Sequence, residues 1–335
     1  MKTNRQIILA SRPAEMASLS NFEMISSPIP QPKEGEVLSK MLYLSVDPYM
    51  RNRMDERPSY IAPFQLQKPI TGGVIGQVIE SNSPTFQPGD FVLGFSTLAD
   101  YFMAPANELE KIDLPQESLS LALGILGMPG MTAYFGLLQI GKPQSGETLV
   151  VTAAAGAVGS VVGQIGKIKG CHVIGIAGNE EKVRDIEQTL GFDKALNYKD
   201  PNFEEKLIDA TPRGVDVYFD NVGGSITDAV VSRINRHARI VICGQISMYN
   251  HQQDIGPRLF PQLLIKSALA QGFIVNEYEK HFPAARRQIT QWIEENKLKY
   301  QETIINGLEN TPKAFLSLFS GQNQGKQLIK ASSDA

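Results

Sequence analysis

The sequence predicts an α/β chain, with a mostly β first domain and then a doubly wound parallel sheet. Three observations carry that expectation. Short strand-like runs separated by Pro/Gly turns fill residues 1 to about 125. From Leu119 the pattern changes to apolar runs alternating with helical stretches, with strands near 148–153, 171–177, 194–197, 215–220, 238–243 and 270–275. The first of these runs, Thr148-Leu149-Val150-Val151-Thr152, passes into a turn of small residues that opens a helix, as a βαβ unit requires.

In the first domain, residues 35–46 and 72–80 read as strands, and Gln87-Pro88-Gly89-Asp90 reads as a turn leading into another. That spacing fits a small β-barrel or sandwich. Residues 119–138 read as helices broken by Met128-Pro129-Gly130. A helix is expected near 283–296. The end of the chain, 312–319 and then 325–330, reads as a helix and a strand that return to the first domain.

Composition narrows the function. The chain has 335 residues, enough for two domains. A hydrophobic share of 42%, a charged share of 20% and a net charge of -3 are ordinary for a globular enzyme. They give no reason to expect a nucleic-acid or membrane partner. Cys171 and Cys243 are the only cysteines, too few for a disulfide framework, and both sit in apolar runs. No apolar run is long enough to span a bilayer and no signal peptide is evident, so a cytoplasmic protein is expected.

Ligands of a doubly wound sheet bind beyond the C-terminal strand ends. After the first strand comes Ala153-Ala154-Ala155-Gly156-Ala157-Val158-Gly159. Gly156 permits backbone approach to a pyrophosphate, Gly159 permits tight helix packing, and the helix N-terminus offers N–H groups to an anion. Ala154 stands at the first glycine position of the usual fingerprint. A ligand-free tight turn fits the same residues, but the strand before and the helix after favour a dinucleotide. The second strand ends at Gly178, where NAD-selective folds carry an acid, and Lys182 follows in the first helical turn. A cation there opposes the helix dipole, which a 2′-phosphate would explain. A solvated lysine offset by Glu180 and Glu181 is the bland alternative, and one of those acids can also bond a ribose. The balance favours NADPH. Tyr198 ends the third strand and suits the adenine end or the phosphate. Asn221, with Gly223 and Gly224, ends the fourth and suits the nicotinamide ribose, though taken without its context an ordinary turn fits these residues equally well. Cys243 and Gly244 end the fifth, with Tyr249 just beyond.

These residues carry a family resemblance across nearly the whole chain. Its marks are Val46-Asp47-Pro48-Tyr49-Met50-Arg51, residues 127–134, 153–159 and 181–183, Gly191-Phe192-Asp193, Asn197-Tyr198-Lys199, and residues 219–224, 243–250 and 323–326. The sequence resembles the zinc-independent medium-chain dehydrogenase/reductases. It is most like the group of prostaglandin reductases, plant alkenal double-bond reductases and bacterial curcumin reductases. The resemblance implies a GroES-like catalytic domain (1–125 and 299–335), a Rossmann NADPH-binding domain (126–298) and a homodimer. It implies that Gly156, Ala157, Val158 and Gly159 take the pyrophosphate, and that Lys182 and Tyr198 take the 2′-phosphate. Asn221, Cys243, Gly244, Phe273, Ile274, Val275 and Asn323 are implied as further cofactor contacts. Tyr49 and Tyr249 match tyrosines near the substrate carbonyl.

A catalytic zinc needs about three protein ligands. Residues 1–125 contain no Cys and no His, and His172, His237, His251 and His281 all lie later, where each reads as surface or structural. The expected reaction is therefore metal-free. Hydride passes from NADPH to the β-carbon of an enone or enal, and a neutral phenol, Tyr249 first and Tyr49 second, meets the charge developing on the carbonyl oxygen. Arg51 reads as an ion pair fixing the turn at 47–51. Two alternatives remain: quinone reduction, which needs the same hydride geometry, and an NADPH-binding protein without turnover.

Overall fold

A computed structural model describes residues 3–57, 59–250 and 255–331, so His251 lies outside the described residues. The chain divides into two units. One comprises Met1–Leu123, Glu302–Asn323 and Gln327–Ala335; the other comprises Gly124–Gln301 and Gln324–Lys326.

The first unit begins with an antiparallel ribbon, β1 (Thr3–Leu9) and β2 (Phe22–Pro28). Its main sheet contains β3 (Glu36–Ser45), β4 (Thr71–Ser81), β5 (Phe91–Thr97), β6 (Tyr101–Pro105) and the short β7 (Glu110–Lys111). These pair antiparallel, β3 with both β4 and β6, β4 with β5, and β5 with β7. A single helical turn, α1 (Met50–Arg53), follows β3. Ile7, Val37, Leu44, Val74, Phe102 and Ile329 are among the side chains that bury its core.

The second unit opens with α2 (Met128–Phe135) and alternates thereafter. The order is β8 (Thr148–Thr152), α3 (Gly159–Ile168), β9 (His172–Ala177), α4 (Glu180–Gln188), β10 (Lys194–Asn197), α5 (Phe203–Ala210), β11 (Val215–Asp220), α6 (Gly224–Val231), β12 (Ile234–Ile242), α7 (Phe260–Lys266), β13 (Leu269–Gly272) and α8 (Phe282–Glu294). The strands form one parallel sheet in the spatial order β10-β9-β8-β11-β12-β13. Leu149, Val150 and Val151 are each 0% exposed, as expected of a strand covered on both faces. The chain then passes through β14 (Glu302–Asn306) and α9 (Thr311–Phe319) to β15 (Lys326–Lys330). β15 pairs antiparallel with β3, Leu328 against Ser45. The two folds are a GroES-like sheet and a Rossmann sheet. Among the described residues no single helix is long and apolar enough to cross a membrane.

Three local expectations need correction. Met128-Pro129-Gly130 starts a helix instead of breaking one. Pro129 lies in the first turn, where its missing N–H costs nothing and its fixed φ suits the helix. The strand expected at 238–243 begins at Ile234, which pairs with Val215; the chain then detours through His237, at φ 61°, before Arg239 meets Val217. The last strand stops at Gly272, because its partner Ile242 ends β12.

Candidate active site

The sheet reverses its winding between β8 and β11, and the crevice beyond their C-terminal ends is where such a sheet takes a ligand. After β8, Ala153 adopts a left-handed φ of 49° and the chain turns into α3. The Gly156 N–H donates to the Ala153 carbonyl at 2.8 Å, and Ser160 N–H donates to Gly156 at 3.1 Å. A Cβ on Gly159 would lie 2.4 Å from the Ala153 oxygen, so only glycine lets the helix start this close to its strand. The N–H groups of Ala157, Val158 and Gly159 thus lie at the positive end of α3. Residues 324–326 back this turn: Gly325 N–H donates to Ala155 at 2.8 Å and bridges Gly156.

Beyond β9, Asn179 caps α4 by accepting from Lys182 N–H at 2.8 Å. That cap fixes Lys182 in the first turn, half-buried. Burial pushes its ammonium down, neighbouring Lys199 pushes it further, and Glu181 offsets this in part. Tyr198 is 41% exposed; its ring lies 5.8 Å from the Lys199 ammonium and its hydroxyl end lies against Gly178. Glu180 accepts from Asn197 Nδ2 at 2.8 Å. Glu180 is therefore held toward the end of β10, which weakens the reading of that acid as a ribose ligand. Two cations and a phenol at a helix N-terminus form a donor set suited to a phosphate.

Beyond β11, Asn221 donates its backbone N–H to Thr152 Oγ1 and its side-chain amide to the Thr152 carbonyl, both at 2.8 Å. Cys243 and Gly244 donate their N–H groups to the Asp220 carbonyl at 2.8 and 3.1 Å. Burial, and then Asp220, push the Cys243 thiol up to about 12, so it stays protonated. Tyr249 follows a short 3-10 turn (Ile246–Met248), and its phenol oxygen accepts from Gln245 N–H at 3.3 Å. Burial raises the proton affinity of the phenol. One lone pair is engaged and the proton is held, so Tyr249 is equipped to donate. The Phe273 ring packs against Gly136 and Val275 is buried, so contact with a ligand there falls to backbone and Ile274. Asn323 is half-buried, two residues before Gly325.

The chain is similar to known oxidoreductases in sequence and in fold. Residues 5–112 match the family described as N-terminal domain of oxidoreductase, and residues 157–291 match the zinc-binding dehydrogenase family. The NADPH-dependent curcumin reductase of Escherichia coli (strain K12) is 44% identical over 337 residues, covering 99% of this chain and 98% of that protein. The 2-alkenal reductase (NADP(+)-dependent) of Nicotiana tabacum is 40% identical, covering 98% of each. The crystal structure of CurA in complex with NADPH from Vibrio vulnificus superposes with a TM-score of 0.95 at 45% identity, over 98% of this chain and 99% of that one.

The chain belongs to the zinc-independent medium-chain dehydrogenase/reductases.

In this medium-chain reductase no group of three or more His, Cys, Asp or Glu side chains among the described residues is placed to hold a metal ion. His172 sits 3.4 Å from Asp193, and His237 and His281 are exposed. In the first unit Tyr49 leads into α1, and burial, then Asp47, raise its phenol far above the ordinary range while Arg53 opposes them. Arg51 pairs with Asp55 at 3.0 Å and donates to the Glu15 carbonyl, so its ion pair reaches past the 47–51 turn.

Four participants escaped the sequence reading. Arg53 is buried over the Phe64 ring, 4.0 Å from its centroid, and its four-residue spacing from Tyr49 was the available signal. Lys199 is adjacent to Tyr198 in sequence, and that adjacency was its available signal. Asp220 and Gln245 join through contacts that no local pattern reveals.

Proposed function

We propose that this chain is an NADPH-dependent reductase of the C=C bond of α,β-unsaturated ketones and aldehydes. NADPH, when bound, supplies the hydride for the β-carbon. The chain's residues bind, orient and donate. Ala157, Val158 and Gly159 offer backbone N–H groups to the pyrophosphate after the Gly156 turn. Lys182 and Tyr198 take the 2′-phosphate, with Lys199 beside them. Asn221, Cys243, Gly244, Phe273, Ile274, Val275 and Asn323 line the remaining length of the cofactor. Tyr249 donates its O–H to the substrate carbonyl oxygen as negative charge develops there, and Tyr49 is the second candidate.

The observation that carries the reading is the Tyr249 phenol. It is kept protonated by burial, and its acceptor side is already engaged by Gln245 N–H at 3.3 Å. A neutral donor of this kind does what a metal would otherwise do for the oxyanion. The relatives named for curcumin and 2-alkenal reduction support the substrate class.

We further propose a homodimer built on β13, the edge strand of the parallel sheet. Among the described residues its outer edge pairs with no further strand, and such an edge is a template for a second chain. Phe260, Leu264 and Ile265 on α7 next to it are 80%, 81% and 68% exposed, an apolar surface that a monomer has no use for. Light scattering should give twice the chain mass. A cytoplasmic location suits the two free cysteines.

The test of activity is NADPH oxidation with an enone, an enal and a quinone, repeated with NADH. Rapid enone or enal turnover with NADPH is expected. Turnover with quinone alone would move the assignment to quinone reduction. Equal use of NADH would remove the role given to Lys182, and tight NADPH binding without turnover would favour a binding protein.

A further inference from the structure

The geometry points to Asp220 as a positioning residue that fixes Gln245 and, through it, the Tyr249 phenol. This rests on the reading of Tyr249 as the donor. Asp220 ends β11 and is 1% exposed. Its Oδ1 accepts from Tyr218 Oη, Val222 N–H and Gly223 N–H at 2.9 Å and from Thr152 Oγ1 at 3.1 Å. Its Oδ2 accepts from Thr227 Oγ1 at 2.8 Å and from Gln245 Nε2 at 3.0 Å. All six donors are neutral.

A buried carboxylate served only by neutral donors is an expensive way to join strands. What it gains is reach, because one group ties the end of β8, the turn into α6 and the loop after β12. Gln245 is the one supplied by the loop after β12. Its amide also donates to the Gly244 carbonyl at 2.9 Å, and its Oε1 would lie 2.2 Å from any Cβ on Gly223, which sits at φ 76°. The side chain is thus seated in a space that only glycine leaves. The backbone N–H of the same residue meets the Tyr249 oxygen. Ser247 pins the loop a second time, donating Oγ and N–H to the Val222 carbonyl at 2.6 and 3.0 Å. Asp220 therefore fixes the residue whose backbone addresses the phenol, and its carboxylate is bonded to Gln245 and not to the phenol itself.

An asparagine at position 220 keeps the shape but presents an N–H₂ group to donors, so Gln245 must flip its amide and lose the Gly244 bond. The test compares Asp220→Asn and Gln245→Ala, each alone and combined with Tyr249→Phe. The readouts are kcat at saturating NADPH and enone, and NADPH affinity by fluorescence titration. Each single variant should lower kcat at least about tenfold, with NADPH affinity within about threefold of the parent. Added to Tyr249→Phe, each should cost less than about twofold more, because both act through the same phenol. Gln245→Ala leaves the carboxylate in place and reads the same link should Asp220→Asn fail to fold. Unchanged kcat in either soluble variant, or losses that multiply with that of Tyr249→Phe, would overturn the assignment. Wild-type kcat in Tyr249→Phe would instead remove the donor role itself, and the positioning role with it.

Discussion

Two strand ends of one parallel sheet are finished in opposite ways. Beyond β11 the chain completes itself: Asp220 gathers six neutral donors, Thr152 and Gln245 among them, and Asn221 closes on Thr152. Beyond β9 it gathers like charges, with Lys182 half-buried in the first turn of α4 and Lys199 close enough to push its ammonium down. The first arrangement is stable by its own contacts. Like charges this close favour an anion beside them. On the proposed reading, the difference separates the part of the cofactor site that orients chemistry from the part that selects the ligand by charge.

Substitutions sharpen that contrast. The largest effect belongs to the self-completed end. Tyr249→Phe should lower kcat about 100-fold, a loss of roughly 3 kcal/mol of oxyanion stabilisation, with little change in NADPH affinity. Steady-state kinetics at saturating cofactor give the answer, and an unchanged kcat would take Tyr249 out of the mechanism. Next comes Thr152→Val, nearly isosteric and fully buried. It removes one donor to Asp220 and the acceptor of the Asn221 N–H, and should destabilise the protein by about 1–3 kcal/mol in urea unfolding. An unaltered midpoint would mean that the network contributes nothing to stability.

At the charge-gathering end the effects are smaller and confined to binding. Lys182→Ala should weaken NADPH about tenfold, roughly 1.4 kcal/mol, leave NADH affinity alone and spare kcat. A fall in kcat at saturating NADPH would break the division between the two ends. The pH dependence follows from the same site. Lys182 starts with a lowered proton affinity, and a 2′-phosphate beside it favours the charged form. At pH values around the depressed value NADPH binding should therefore take up a proton, and it should weaken as pH rises through that value, while NADH binding stays flat. Calorimetry in buffers of different ionisation enthalpy measures that uptake.

The legibility of the two ends also differs, for a physical reason. The central strands of the second unit, β8, β9 and β11, were readable because each is an apolar run covered on both faces. Lys182 was readable because an N-cap and a first turn are local, set by residues 179–182. The same locality misled at Met128-Pro129-Gly130, where proline marks a helix start as readily as a break. The Asp220 network was not legible. Thr152 stands 68 residues before Asp220 and Gln245 25 residues after it, and only the sheet order brings them together. Arg53 was missed because a buried cation over an aromatic ring looks, in sequence, like any surface arginine.

The measurement that tests the central claim most directly is the fate of the hydride. The enzyme is supplied with NADPH deuterated at the transferring position and a simple enone, and the product is identified by NMR. The account predicts a saturated ketone carrying deuterium on its β-carbon. An allylic alcohol labelled at the carbinol carbon would contradict it, because the hydride would then have gone to the carbonyl and Tyr249 would be serving a different reaction.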